Sequence, residues 1–121
     1  AVLFLFRHGI RWTMVLFPAL LGAGVLGVGI FPGNIAPFHG IFALVAFLAG
    51  GLAAITSFRV VAGPFRYATV CLGLVTLIFL SGVSVFIPVL GDGGTERFIA
   101  YPVVIWLIGY GGYLAGRGEL R

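Results

Sequence analysis

Residues 38–58 read Phe38-HGIFALVAFLAGGLAAITS-Phe58, 21 positions without one aspartate, glutamate, lysine or arginine. A helix of that length rises about 30 Å, the thickness of a bilayer's hydrocarbon core. Along it His39, Ala43, Ala46, Gly50, Ala53 or Ala54, and Ser57 recur every three or four positions and share one stripe. Phe42, Val45, Leu48, Leu52 and Ile55 fall mostly elsewhere. In lipid, a small-residue stripe lets helices approach closely while bulky faces meet acyl chains. The stretch therefore predicts one span of a transmembrane helix bundle.

Working outward, three further stretches have the same character: residues 12–31, 67–87 and 96–116. Turn signals separate the four: Pro32-Gly33-Asn34 with Pro37, then Gly63-Pro64, then Pro88 and Gly91-Asp92-Gly93-Gly94. The last span needs an argument, because a helix from Pro102 to Leu114 would rise only about 20 Å. Its start is therefore expected near Thr95 as N-cap, with Pro102 inside as a kink. Pro18 plays a similar part in the first span. The fold class is all-α: a single polytopic bundle of four spans over residues 1–121.

Composition agrees. Of the 121 residues 61% are hydrophobic and 8% charged, with a mean hydropathy of +1.22. Soluble domains carry about a quarter charged residues, and one this small cannot hide so much apolar surface. Seven arginines and no lysine face three acids. Alternating the sides puts Arg7, Arg11, Arg59, Arg66, Arg117 and Arg121 together and leaves only Arg97 opposite. By the positive-inside rule the six-arginine side and the C-terminus are cytoplasmic, and the 32–37 and 88–95 loops lie outside. The basic residues thus report topology, and no nucleic acid is expected as partner. Residues 1–6, apolar ahead of Arg7, His8 and Arg11, read as the tail of an upstream helix rather than a signal peptide.

Gly22-Ala23-Gly24-Val25-Leu26-Gly27 matches the dinucleotide fingerprint but lies inside a span, with no strand before it and no acid before Asp92. Packing explains it. The expected helix-packing residues are Gly27, Ala43, Ala46, Gly50, Ala54, Gly109 and Gly112, with Trp106 and Tyr110 packed near the last two. A candidate polar cluster gathers at the outer mouth: His39, Asp92, Glu96, Arg97 and Tyr101. Acid–base chemistry is within reach of such a set. Plainer roles are a His39 hydrogen bond to a loop carbonyl, Glu96 at a helix's positive end, and Arg97 paired with a neighbouring acid. No nucleophile accompanies the cluster, so no residue is assigned as catalytic. One cysteine, Cys71, and two histidines on opposite sides offer no metal or haem ligand set, and no cofactor is expected.

Two segments look familiar. Gly27-Val28-Gly29-Ile30-Phe31-Pro32, followed by His39 and Phe47-Leu48-Ala49-Gly50-Gly51, resembles the membrane family called domain of unknown function nine-nine-eight. So does Gly93-Gly94-Thr95-Glu96-Arg97-Phe98-Ile99-Ala100-Tyr101-Pro102, followed by Trp106 and Gly111-Gly112-Tyr113-Leu114. The resemblance implies a compact bundle of about six helices in a prokaryotic, often archaeal, cell membrane, with two helices upstream of this stretch. It implies no activity.

The leading expectation is a non-enzymatic accessory subunit of a membrane assembly, with lipid and other membrane chains, or a second copy, as partners. The alternative is a small-molecule or lipid binder, or an enzyme, working at the outer leaflet around His39 and Glu96. A transporter or channel component comes third, since none of the three acids lies mid-span.

Overall fold

A computed structural model describes residues 12–119. The expected tail over residues 1–6, and Arg7, His8, Arg11 and Arg121, lie outside the described residues. The described chain is all helix, turn and loop, without a strand. Helix α1 runs Thr13–Ile30, α2 Phe38–Thr56 with a 3-10 turn Ser57–Arg59, α3 Phe65–Ser81, and α4 Val83–Glu119. Three helical stretches are long and apolar enough to cross a membrane: Thr13–Ile30, Phe38–Arg59 and Val83–Gly118. The fourth apolar helix, α3, has 17 residues.

Prolines and glycines decide where these helices end. A residue ahead of proline is pushed out of the helical region, and Phe31, ahead of Pro32, is extended at φ −108°, ψ 97°. Gly63 turns the chain at φ 75° before Pro64 leads into α3. Pro18 and Pro102 sit inside helices that continue through them.

Two boundaries differ from the sequence reading. The third helix stops at Ser81 rather than near residue 87, and residues 83–90 form a separate helical segment beyond Gly82. The expected 88–95 loop is helical apart from one residue, Gly91, at φ 75°, ψ 170°. That region is essentially closed to residues with a Cβ, so a single glycine makes the break that four turn-forming residues suggested. Thr95 is consequently interior to a helix and not its N-cap: its Oγ1 donates 2.8 Å to the Gly91 carbonyl, tying the new first turn back across the break.

The helices pack in chain order, α1 on α2, α2 on α3 and α3 on α4, with α4 also touching α2. Small residues make these contacts close. A Cβ built on Gly24 would lie 2.6 Å from the Ala46 nitrogen, one on Gly73 2.6 Å from the Gly51 carbonyl, and one on Gly50 2.8 Å from Val103. Gly27 lies directly under the Phe42 ring. The core is built from Met14, Leu21, four alanines of α2, Val61, Val103, Trp106 and Tyr110. Large apolar residues such as Ile30, Ile78 and Ile108 are exposed on the outside. Helix contacts built on alanine and glycine, with large apolar side chains outside, invert what water favours and are compatible with lipid.

Among the described residues few polar side chains are buried: Ser57 and Thr76 are bonded across helices, and Thr69 and Thr95 to carbonyls of their own helix. Trp106, 1% exposed, donates from Nε1 to Ser57 Oγ at 3.0 Å and stacks on Tyr110 with ring centroids 5.3 Å apart. Thr76 Oγ1 donates 3.0 Å to the Ile99 carbonyl, joining α3 to α4. Where residues 58–66 meet 113–117, Ala62 N–H donates to Tyr113 Oη at 2.9 Å, and Arg66 lies 4.2 Å over the Phe58 ring.

Candidate functional site

The structure divides the five residues of the candidate polar cluster into three groups. His39 is half-buried at the start of α2, with Nδ1 2.8 Å from the Phe31 carbonyl oxygen. A carbonyl only accepts, so Nδ1 carries the hydrogen and donates. Phe31 also stacks on Phe38 and Phe42, with centroids 5.2 and 5.5 Å apart. Together they clasp the end of α1 to the start of α2 across the Pro32–Pro37 turn. That is the structural role the sequence allowed for this histidine.

Asp92 and Glu96 do something different. They stand one turn apart on α4 just beyond the Gly91 break, and both are exposed. Both line a cleft of about 310 Å³. Gly40, Ala43, Leu44 and Phe47 of α2 form one wall. Leu80, Val83 and Ile87 form another, and Thr95 and Ile99 lie beside the acids on α4. The 83–90 segment belongs to the cleft because aromatic rings hold it: Phe79 stacks on Phe86 at 4.3 Å and on Phe98 at 4.7 Å. Without the early end of α3 at Gly82, Val83 and Ile87 would continue along α3 instead of closing over the α2 wall.

Arg97 and Tyr101 are exposed and are not among the lining residues. Among the described residues no ion pair joins Arg97 to Asp92 or Glu96. The expected five-residue cluster is thus a carboxylate pair in a cleft, a histidine turned to a carbonyl, and two exposed side chains elsewhere.

The small residues also separate. Gly27, Ala46, Gly50 and Ala54 pack inside the bundle, and Gly109 lies under the Phe65 ring, where a Cβ would approach to 2.7 Å. Ala43 lines the cleft. At Gly112 no described residue stands within 4 Å of where a Cβ would be, and the same holds at Gly116 four residues on. Gly73, unremarked in the sequence, makes the closest backbone approach of α3. The signal was present, because Thr69, Gly73 and Thr76 repeat the small-residue spacing and all three are buried.

Chemically, the cleft offers two carboxylates at the rim of an apolar hollow. Among the described residues no group of three His, Cys, Asp or Glu side chains is placed to hold a metal ion. Fold and site together define a class: an all-helical bundle with three helices long and apolar enough to cross a membrane. No family model, no curated protein and no solved structure matches the chain.

Proposed function

We propose that this chain is a four-span membrane bundle serving as a non-catalytic subunit, which packs against another membrane helix through the outer face of α4. The observation that carries the reading is the Gly112 and Gly116 pair, four residues apart, both open, on a face that also exposes Ile105 and Ile108. Small residues at that spacing admit a partner backbone to close contact, and in lipid such contact drives association. Gly24, Gly27, Gly50, Gly73 and Gly109 already face a neighbour within the chain; at Gly112 and Gly116 no described residue stands within 4 Å of a Cβ. In this reading α3 crosses as the third span, its 17 residues rising about 25 Å. The side carrying Arg59, Arg66 and Arg117 faces the cytoplasm of a prokaryotic cell. The resemblance to domain of unknown function nine-nine-eight is compatible with this and lends no activity.

The test is cross-linking in native membranes with a photoreactive residue at Ile108. We expect a discrete adduct, to a companion chain or a second copy, that disappears when Gly112→Ile and Gly116→Ile are combined. A chain that gives no adduct and migrates as a lone monomer in either form would sink the proposal. A second reading is favoured by the cleft: a binding site for a small amphiphile at the outer leaflet, centred on Glu96. His39 contributes to it only by holding the turn next to Gly40.

A further inference from the structure

We infer that the cleft between α2, the 83–90 segment and α4 takes a phosphate-free amphiphilic ammonium ion, an alkyl chain ending in a positively charged amine. The inference deepens the binding reading of the cleft and uses nothing of the outer face of α4.

The hollow holds about 310 Å³, at the lower end of the ~300–1,000 Å³ typical of small-ligand sites. Its walls are aliphatic and aromatic, with Leu44, Phe47, Leu80 and Ile87 suited to an alkyl tail. Among the described residues its only ionisable lining groups are Asp92 and Glu96. They sit at i and i+4 on one helix face, where like charges repel. Among the described residues no basic side chain pairs with either. A carboxylate beside apolar surface interacts with a cation more strongly than it would in bulk water. A single cationic head between the two therefore relieves their repulsion while its tail covers the walls. A headgroup phosphate or a fatty-acid carboxylate would meet these two negative charges, with no basic lining residue among the described residues to offset them. Gly40 lines the α2 wall, and among the described residues nothing stands within 4 Å of where its Cβ would be, so a side chain can be added at this lining position without displacing the backbone.

The experiment measures saturable binding of labelled decyltrimethylammonium to the full chain in dodecyl maltoside, with decyl sulfate as the anionic counterpart. We expect one site per chain for the cation and none for the sulfate. The combined Asp92→Asn and Glu96→Gln variant should bind at least ten-fold more weakly, and should melt like the parent because both side chains are exposed. Gly40→Leu, which adds bulk to the α2 wall, should weaken binding similarly while both charges remain, and Ala43→Leu serves if that variant does not fold. Arg97→Gln should leave binding intact. Unchanged affinity in the charge-neutral variant, or in an α2-wall variant that melts normally, overturns the inference. Equal binding of decyl sulfate would keep the cleft as a binding site but overturn the cation. Displacement by lyso-phosphatidylethanolamine at comparable affinity would overturn the exclusion of phosphate.

Discussion

Replacing Gly24 and Gly22 by alanine, one at a time, makes the same chemical change two residues apart on α1, with opposite structural consequences. At Gly24 the new Cβ would stand 2.6 Å from the Ala46 nitrogen, 2.7 Å from its Cα and 2.8 Å from its Cβ. Those atoms are backbone or fixed to it, so no rotamer change relieves the contact. Restoring ordinary carbon contacts of ~3.5–4.0 Å requires α1 and α2 to separate by about 1 Å, which forfeits a quarter to a half of the dispersion energy along the interface. Overpacking of this kind costs about 1–3 kcal/mol. At Gly22 nothing lies within 4 Å, and the substitution only gains helix propensity, up to about 1 kcal/mol. That gain applies to both variants and cancels in their difference. Gly24→Ala should therefore be less stable than Gly22→Ala by about 1–3 kcal/mol in denaturant-induced unfolding followed in mixed micelles. If the two variants agree within about 0.5 kcal/mol, the close approach of α1 to α2 at Ala46 is wrong.

Further expectations follow from single contacts. Trp106→Phe keeps a ring beside Tyr110 but loses the bond to Ser57, and should cost about 1 kcal/mol, whereas Trp106→Ala should cost about 3–5 kcal/mol; chemical unfolding separates them. Thr76→Val removes the hydroxyl that reaches Ile99 without changing the volume, and should cost roughly 0.6–1.7 kcal/mol, the range for interhelical hydrogen bonds in membranes. Gly91→Ala forces a Cβ into a glycine-only conformation and should cost about 1–3 kcal/mol, while Gly93→Ala, with open space and no positive φ, should not destabilise. His39→Leu should loosen the 31–39 clasp by about 1 kcal/mol and speed amide exchange in that turn, leaving binding in the cleft within a few-fold. A large loss of binding in that variant would move the histidine into the site.

The helical bundle was legible in the sequence because apolar length and turn residues act locally. Pro32 ends α1 and Gly63-Pro64 separates α2 from α3 for reasons that need no tertiary knowledge. The buried stripe of α2 was legible in the same way, since Ala46, Gly50, Ala53, Ala54 and Ser57 alternate at helical spacing. The break at Gly91 was not. Gly91-Asp92-Gly93-Gly94 looks like a loop, yet Asp92 onward regains helical form, held by the Thr95 bond and the stacking of Phe79 with Phe86 and Phe98. Those contacts span up to 19 residues, beyond what periodicity reports. For the same reason the sequence groups His39, Asp92, Glu96, Arg97 and Tyr101 by expected depth alone. Depth brought Asp92 and Glu96 to one cleft but could not show that His39 turns toward Phe31. Gly112 shows the limit of small-residue spacing, which marks a face for close packing without saying whether the partner lies within the chain.

The central claim, that α3 crosses the membrane and the chain spans it four times, is tested most directly by mapping loop accessibility. On a Cys71→Ser background, single cysteines at Gly33, Ala62, Gly93 and Gly118 would be exposed to a membrane-impermeant maleimide in intact cells. Labelling from outside is expected at positions 33 and 93, and labelling at 62 and 118 only after the membrane is opened. Labelling of 62 and 93 from the same side would mean that α3 does not cross, and would contradict the claim.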